Sequence, residues 1–348
     1  MSDLLHVTES SYNRRKHSDR YTKRASVSAP NRGFKINQAV QSEMGDNQGG
    51  AEKCIFCSDE MQRKDRNAIL LRRGRVIALP NEYPFMEWDH HVLCLWHRNF
   101  GCRMAHTHRF RLADLGLVEF FCLSMAAVER ARHFPHTRDG LSMLASSDSV
   151  RPLLGWNLGK LAGQSIPHLH AQYGWESVPP STHESEQSKL QLYYEEHRDK
   201  DLILYEDKRF LVLVPWAQRT RHHVQVHIKG CYLITDLKPA DLGVLAGLTR
   251  HFIGCYLTKG IQNLNITFST TSALAHRWGP LVVDWIPRLS IPGFYEYMDC
   301  NVIDGTPEDS VGFFRAVRSW SEIMKEAYSV DVTRLYQDRF GEDSESLH

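Results

Sequence analysis

The chain has 348 residues, of which 42% are hydrophobic and 24% charged, a composition that excludes a wholly disordered or fibrous protein. Lysine and arginine number 42 against 41 aspartates and glutamates, so the net charge of +1 does not favour nucleic-acid binding. No apolar run approaches the ~20 residues of a membrane helix, and the polar N-terminus lacks the apolar stretch of a signal peptide. We therefore expect a cytoplasmic protein of about two domains, with its cysteines as free thiols or metal ligands.

Residues 1–53 are polar and predict an extended N-terminal arm, and a globular pattern begins at Cys54. The stretch 112–134 predicts a helix because its apolar residues recur at a spacing near 3.6. The other elements expected in the first unit, 54–178, are strands at 75–80, 90–97, 141–145 and 168–175, with a glycine-containing loop before the last strand.

The same order of elements recurs after a polar, proline-containing linker at 176–190. The elements expected in the second unit, 190–336, are strands at 209–217, 222–230, 263–269 and 280–287, a helix over 237–257 and a C-terminal helix over 312–336. Strand–strand–helix–strand–strand, twice, predicts an α+β fold of two related units, each an antiparallel sheet with helices packed against it. Residues 337–348 are expected to be a disordered tail.

The string NLGKLAGQSIPHLHAQ, residues 157–172, carries the strongest chemical signal. Because side chains alternate along a strand, His168, His170 and Gln172 would share one face. Histidines exposed by chance on a polar strand are the alternative, and a lone His-x-His pair among 19 histidines would favour it. The full string of glycine, serine, histidine and glutamine favours a site that holds a phosphate beside an imidazole.

The residues before the histidines suit phosphate binding. Gly159 and Gly163 allow the backbone to approach a ligand closely, and Ser165 supplies a hydroxyl donor. Lys160 either reaches the phosphate or is solvated. A neutral imidazole is a good nucleophile near pH 7, so a histidine of this string can attack a phosphorus atom.

The string resembles the galactose-1-phosphate uridylyltransferase branch of the histidine-triad (HIT-like) superfamily, whose pattern Asn-x-Gly-x3-Gly-x-Ser-x-Pro-His-x-His-x-Gln it matches at every fixed position. Weaker similarity extends over roughly residues 26–320. The resemblance implies two HIT-like repeats and a nucleotidyltransferase that moves a nucleoside monophosphate between a nucleotide donor (an NDP-sugar or NTP) and a sugar 1-phosphate or phosphate acceptor. It also implies that His170 attacks the α-phosphorus of the nucleotide and forms a covalent nucleotidyl-histidine. Hydrolytic relatives carry histidine where this chain has Gln172, which favours a transferase.

Other functions stay open at this point. One is a nucleoside diphosphate-sugar or dinucleoside polyphosphate phosphorylase of the same branch. The others are a HIT-type hydrolase and a non-catalytic, zinc-stabilised binding protein. The base and the acceptor are not determined by the sequence, and galactose is doubtful because the apolar Val302 stands where the family has a sugar-binding glutamine.

Asn81-Glu82-Tyr83 is either a polar turn or, as the resemblance implies, the contact to ribose and base. The full set expected to bind nucleotide or substrate is Asn81, Glu82, Tyr83, Asn157, Gly159, Lys160, Gly163, Gln164, Ser165, Gln172, Arg32, Lys35 and Glu296. The expected catalytic residues are His170, Gln172 and Ser165. The resemblance also implies a homodimer, in which the arm carrying Arg32 and Lys35 reaches the partner's site.

Cys54-x-x-Cys57 has the spacing of half a zinc site, although a redox pair or two core thiols would share it. The resemblance implies one structural zinc per chain, held by Cys54, Cys57, His108 and His168. Rivals of His108 are His106, His97 and Cys102.

A second metal site found in some relatives is expected to be absent here, because Val282 and Asp284 stand where histidines would be needed. The histidines at 222, 223 and 227 restore no metal-ligand spacing, so we expect them on a strand face or at the surface.

Overall fold

The computed structural model describes residues 5–9, 15–19, 24–28, 56, 71–73, 76–81, 87–96, 112–133, 150–164, 166, 168–177, 187–269, 280–290 and 303–340. The strands are β1 Leu5–Glu9, β2 Arg15–Asp19, β3 Arg24–Ser28, β4 Leu71–Arg73, β5 Val76–Pro80, β6 Glu87–Trp96, β7 Val150–Leu158, β8 His170–Ser177, β9 Ile203–Glu206, β10 Phe210–Leu213, β11 Val224–Ile228, β12 Leu264–Ser269 and β13 Leu281–Pro287. The α-helices are α1 Leu117–His133, α2 Gln187–Asp199, α3 Pro239–Thr258, α4 Pro307–Arg315, α5 Trp320–Tyr328 and α6 Val332–Phe340.

The fold is α+β, as the sequence predicts, but the strands of the two expected units join in one large antiparallel sheet with helices instead of forming a sheet in each unit. Within the described residues the sheet has ten strands, in the order β4-β5-β6-β8-β7-β12-β13-β11-β10-β9. The N-terminal residues contribute a separate sheet in which β2 pairs with β1 and β3, so the predicted extended arm contains three strands. No helix in the described part of the chain has the length and apolar character needed to cross a bilayer.

Helices α1 and α3 cover one face of the large sheet. Phe120 of α1 stacks on Trp156 of β7, with ring centroids 5.3 Å apart. Phe252 of α3 packs on Trp285 of β13 at 5.0 Å, and Trp285 also donates to the hydroxyl of Thr249. These large apolar contacts remove the helical face of the sheet from water and leave the opposite face to carry polar groups.

The register aligns the strands so that polar positions of both halves lie in one row. Gln172 is opposite Gly155, which is opposite Thr267, which is opposite Asp284, which is opposite Gln225. Directly opposite residues in antiparallel strands share a face. The motif of the first half and the polar cluster of the second half therefore occupy the same side of the sheet.

Two expectations about secondary structure in the middle of the chain are wrong. The loop expected before the motif contains a central strand, β7. The segment 176–190 is not a linker throughout, because β8 runs to Ser177 and α2 begins at Gln187, where Tyr194 packs on Leu211 and Leu213.

The single C-terminal helix expected over 312–336 is three helices. α4 starts where the side chain of Thr306 accepts from the backbone N–H of Asp309, and Asp331 caps α6 by accepting from the N–H of Arg334. α6 extends to Phe340, inside the segment expected to be a tail. The strand expected at 141–145 and the tail residues 341–348 lie outside the described residues.

Candidate active site

His170 begins β8 and is buried, with 6% of its surface exposed. Its Nδ1 lies 2.7 Å from the backbone carbonyl oxygen of His168, which can only accept. Nδ1 therefore carries the proton, and in the neutral ring the lone pair is on Nε2. The backbone of the motif thus selects the tautomer that a nucleophilic imidazole needs.

The face of β8 that carries His170 is separated from the helical core. Leu169, Ala171 and Tyr173 are buried in the core with α1 and α3, as alternation along a strand requires. On the other face, the ring of Phe56 packs against His168 at 5.4 Å and against His170 at 5.8 Å between centroids. These contacts restrict the rotation of both imidazoles.

Gln172 is oriented by a histidine that the sequence analysis did not single out. Nε2 of the buried His91 lies 3.1 Å from Oε1 of Gln172, and Nδ2 of Asn81 lies 3.1 Å from Nδ1 of His91. Nδ2 of Asn81 also lies 3.3 Å from Nε2, so the contact with Gln172 decides the tautomer: because the amide oxygen of Gln172 only accepts, Nε2 of His91 donates and Nδ1 accepts from Asn81. The oxygen of the Gln172 amide thereby accepts from His91, so the NH₂ group of Gln172 is the part presented to a ligand.

The predicted phosphate loop is a short 3-10 turn, Lys160–Ala162, between two glycines with positive φ. The backbone N–H of Gly159 donates to Oε1 of Gln164 at 2.7 Å, which closes the loop. Nε2 of Gln164 is buried and has no hydrogen-bond partner among the described residues. The loop therefore presents an amide donor, while Lys160 is exposed on its outer side.

Residues from the second half of the chain hold this loop. Nδ2 of Asn265 donates to Oδ1 of Asn157 and to the carbonyl of Ala162, both at 2.8 Å. The N–H of Leu161 donates to Oδ1 of Asn263 at 3.1 Å. A Cβ atom on Gly159 would lie 2.2 Å from that same Oδ1, so only glycine fits there.

The described structure brings several predicted residues together at one end of the sheet: Asn81, Asn157, Gly159, Gly163, Gln164, His168, His170 and Gln172. Other predicted site residues lie outside the described residues: Ser165, Glu82, Tyr83, Arg32, Lys35, Glu296, Cys54, Cys57 and His108, together with the alternatives His106, His97 and Cys102.

His222, His223 and His227 are buried, so a surface location for them is wrong. Nε2 of His223 donates to Oδ1 of Asp284 at 2.8 Å, while Nδ1 of His223 accepts from the N–H of Arg219. Burial alone would raise the pKa of Asp284, but the hydrogen bonds that it accepts from His223 and Gln225, together with the nearby charge of Arg219, outweigh burial and lower it. The hydrogen bonds of this polar cluster are thus made among its own residues.

His227 belongs to the same cluster and is neutral. Its Nδ1 lies 3.0 Å from the hydroxyl of Tyr194, and its Nε2 lies 3.2 Å from Oε1 of Gln225. Burial lowers the pKa of His227 to about 4, with Asp284 acting in the opposite direction. Within the residues that the structure describes, no three metal-binding side chains converge.

His91, Asn263, Asn265 and Arg288 were not predicted from the sequence. A signal for His91 was present, because His-His-Val occurs at 90–92, within β6, and again at 222–224, at the start of β11. The asparagines carried no such signal, since they act through contacts with a loop more than a hundred positions away, and Arg288 is linked to that loop only through Asn265.

No family model matches the sequence, and no curated protein matches it. Solved structures do match. A GalT-like protein from Arabidopsis thaliana aligns at 17% identity and a TM-score of 0.52, covering 70% of this chain and 84% of the other. A uridylyltransferase aligns at 17% identity and 0.51, covering 73% and 86%. This chain has the uridylyltransferase fold.

An ADP-glucose phosphorylase from Arabidopsis thaliana with bound ADP-glucose aligns over more of the chain. The TM-score is 0.56 at 16% identity, and the alignment covers 88% of this chain and 99% of the other. The fold that the motif resemblance implies is thus confirmed: this chain shares the fold of the GalT-like protein, the uridylyltransferase and the ADP-glucose phosphorylase.

Proposed function

We propose that the protein is a nucleotidyltransferase that works by double displacement through a nucleotidyl-His170 intermediate. The observation that carries the proposal is the bond from Nδ1 of His170 to the carbonyl of His168, within a complete phosphate-binding motif on this fold. That bond leaves the lone pair on Nε2. A structural histidine would not require this tautomer next to a glycine-rich loop.

In the first step, Nε2 of His170 attacks the α-phosphorus, a P–N bond forms, and the bond to the leaving phosphate oxygen breaks with its electron pair. In the second step, an oxygen of the acceptor phosphate attacks the same phosphorus, and the P–N bond breaks. The amide NH₂ groups of Gln172 and Gln164 would bind the charged equatorial oxygens. Neither amide is an acid, so water is not favoured as the acceptor.

The donor is a nucleoside diphosphate sugar or a nucleoside triphosphate, and the acceptor is a sugar 1-phosphate or inorganic phosphate. A phosphorylase is the second candidate, favoured by the alignment with the ADP-glucose phosphorylase over most of both chains. Glu82, Tyr83 and Glu296 would bind ribose, base and sugar, and Ser165 would complete the phosphate loop. With Val302 in place of the family's glutamine, galactose stays doubtful.

We extend the proposal to two HIT-like repeats. Counted from each edge of the sheet inward, the strand orders are β4-β5-β6-β8-β7 and β9-β10-β11-β13-β12. Along the chain, α1 lies between the third and fourth strands of the first half, and α3 lies between the third and fourth strands of the second half. The equivalent of Gln172 is then Asp284, and that of His170 is Val282, by the pairing registers. Only the first repeat would keep the chemistry.

One structural zinc held by Cys54, Cys57, His108 and His168 is also proposed. The support is that Phe56, between the two cysteines, packs against His168, and that His168 is fully buried. A bound zinc would stiffen the strand that carries His170. Elemental analysis should find one zinc per chain in the wild type and none in Cys54→Ser, with Cys255→Ser as a matched control.

A homodimer with composite sites is the last part of the proposal, with Arg32 and Lys35 of each arm reaching the partner's bound nucleotide. Charge-assisted bonds to phosphate would order a segment too polar to form its own core. Mixing Arg32→Ala chains with His170→Ala chains should restore activity, because one site of each mixed dimer is then intact. The predicted cytoplasmic location stays a prediction from the sequence.

Intact-mass spectrometry tests the central step. Wild-type protein incubated with nucleoside diphosphate sugars and triphosphates, without acceptor, should gain the mass of one nucleoside monophosphate. His170→Ala should gain nothing, while His251→Gln, at a half-buried histidine of α3 on the helical side, should label like the wild type. Labelling of His170→Ala, or an unlabelled wild type across the whole panel, would refute the intermediate.

A further inference from the structure

Two arginines of the second half lie at the end of the sheet where the phosphate loop is. Arg288 directly follows β13, and Arg219 lies in the connection that leads into β11, the neighbouring strand. We propose that Arg219 and Arg288 form a second anion site, which binds a phosphate group distal to the one attacked by His170. This inference rests on the proposed function.

Arg288 is fixed to the phosphate loop through one asparagine. Its Nε donates to Oδ1 of Asn265 at 2.5 Å, and Asn265 in turn donates to Asn157 and to the carbonyl of Ala162. The backbone N–H of Arg288 donates to the carbonyl of Asn263. Nε therefore orients the guanidinium, and its two terminal NH₂ groups make no hydrogen bond to any described residue.

Arg219 is placed on the same side of the sheet by its backbone, which donates to the ring of His223 at 3.2 Å. The ring of His223 donates to Asp284. Asp284 lies in the row of directly opposite residues that includes Gln172, so both side chains are on the same face of the sheet. The side chain of Arg219 is exposed and has no hydrogen bond or ion pair among the described residues. It is near enough to Arg288 for its charge to add to burial in lowering the pKa of Arg288.

The carboxylate near this pair is Asp284, and it is already used. It is buried, and its Oδ1 accepts from both His223 and Gln225. Among the described residues, two guanidiniums and one occupied carboxylate give this place a net positive charge. Guanidiniums bind phosphate through paired N–H donors, so a phosphate group is the ligand class that fits.

The strand spacing indicates which phosphate the arginines would hold. β8, which carries His170, and β12, which carries Asn265, are separated by β7, so they lie about 10 Å apart. A phosphate at Arg288 is therefore well beyond the reacting phosphorus. The site suits a leaving group or acceptor with a distal phosphate, such as an oligophosphate chain, better than one that ends in a neutral hexose.

Tripolyphosphate binding to the full chain, measured by calorimetry at fixed ionic strength, tests the site. We expect Arg219→Gln and Arg288→Gln each to raise the Kd about tenfold. Arg334→Gln, an exposed arginine on α6, should leave the Kd unchanged. Arg219→Gln is the decisive variant, because it leaves the bond to Asn265 intact. Loss of affinity in Arg288→Gln alone would indicate a distorted loop and overturn the site.

Adduct formation gives the second readout. The wild type should form the adduct in preference from nucleoside triphosphate and dinucleoside tetraphosphate donors over a nucleoside diphosphate hexose. In Arg219→Gln this preference should be about tenfold smaller. An unchanged preference would overturn the assignment. If tripolyphosphate binding depends on both arginines but no donor labels His170, the anion site stands and the proposed transferase fails, so the two failures are distinguishable.

Discussion

Nε2 of His91 and Oε1 of Gln172 are 3.1 Å apart, and this bond joins residues 81 positions apart in the chain. It determines which end of the Gln172 amide is available to a ligand. A free glutamine presents its oxygen and its NH₂ group about equally, and the oxygen would repel a phosphate. His91 therefore converts Gln172 into a dedicated donor.

Replacing His91 with phenylalanine should release the Gln172 amide. We expect kcat to fall about tenfold, since one oriented donor to the transition state is lost, with a smaller change in KM. His91→Gln keeps a donor at this position and should recover part of the loss. Equal kcat for His91→Phe and the wild type would contradict the orienting role, and urea unfolding would show whether the fold is intact.

Gly159 and Gly163 make a matched pair for testing the loop. Both have positive φ, but a Cβ on Gly159 would collide with Oδ1 of Asn263, whereas nothing lies within 4 Å of the corresponding position at Gly163. Gly159→Ala should displace the loop and reduce kcat/KM on the order of a hundredfold. Gly163→Ala should carry only the backbone cost, about 1–2 kcal/mol of stability. Similar losses in the two variants would argue against the contact with Asn263.

Asn265→Ala should show that a residue of the second half of the chain determines the conformation of the phosphate loop in the first half. The change leaves Oδ1 of Asn157 and the carbonyl of Ala162 without their donor, which costs about 1–3 kcal/mol. We expect a fall in kcat/KM of at least about tenfold. Thr267→Ala, two positions along the same face of β12, is the control. Full activity of Asn265→Ala would mean that the loop holds its shape alone.

Sequence patterns predicted most strands because their apolar or β-branched residues alternate or run together, as in β5, β11 and β13. β7 was missed because it contains Pro152 and Gly155, which normally argue against a central strand. The register explains the exception. β12 pairs with β7 only from Leu154 to Leu158, so Pro152 needs no N–H for that neighbour.

The site was predictable only where its residues are close in sequence. The motif from Asn157 to Gln172 is local, and its spacing on a strand was enough to place His170 and Gln172 on one face. The residues that hold it are not local. Asn265 bonds Asn157 across 108 positions, and that contact exists only because β12 adds to the first half's sheet beside β7.

The buried His227 should make the fold acid-sensitive. Burial lowers its pKa from 6.5 to about 4 in the folded protein. His227 therefore binds a proton below about pH 6.5 in the unfolded chain, but only below about pH 4 in the folded chain. The stabilising contribution is complete above the unfolded pKa and is lost as the pH falls between the two values, by roughly 3 kcal/mol in total.

His227→Gln removes this titration, while Gln keeps polar atoms for Tyr194 and Gln225. Urea unfolding of the wild type and the variant at pH values from about 7 down to about 5 should give a shallower loss of stability with acidity in the variant. His222 and His251 have pKa values lowered in the same way, so some slope should remain. Identical slopes in the two proteins would mean that His227 accepts its proton in the folded state, and the hydrogen bonds assigned to its neutral ring would then be wrong.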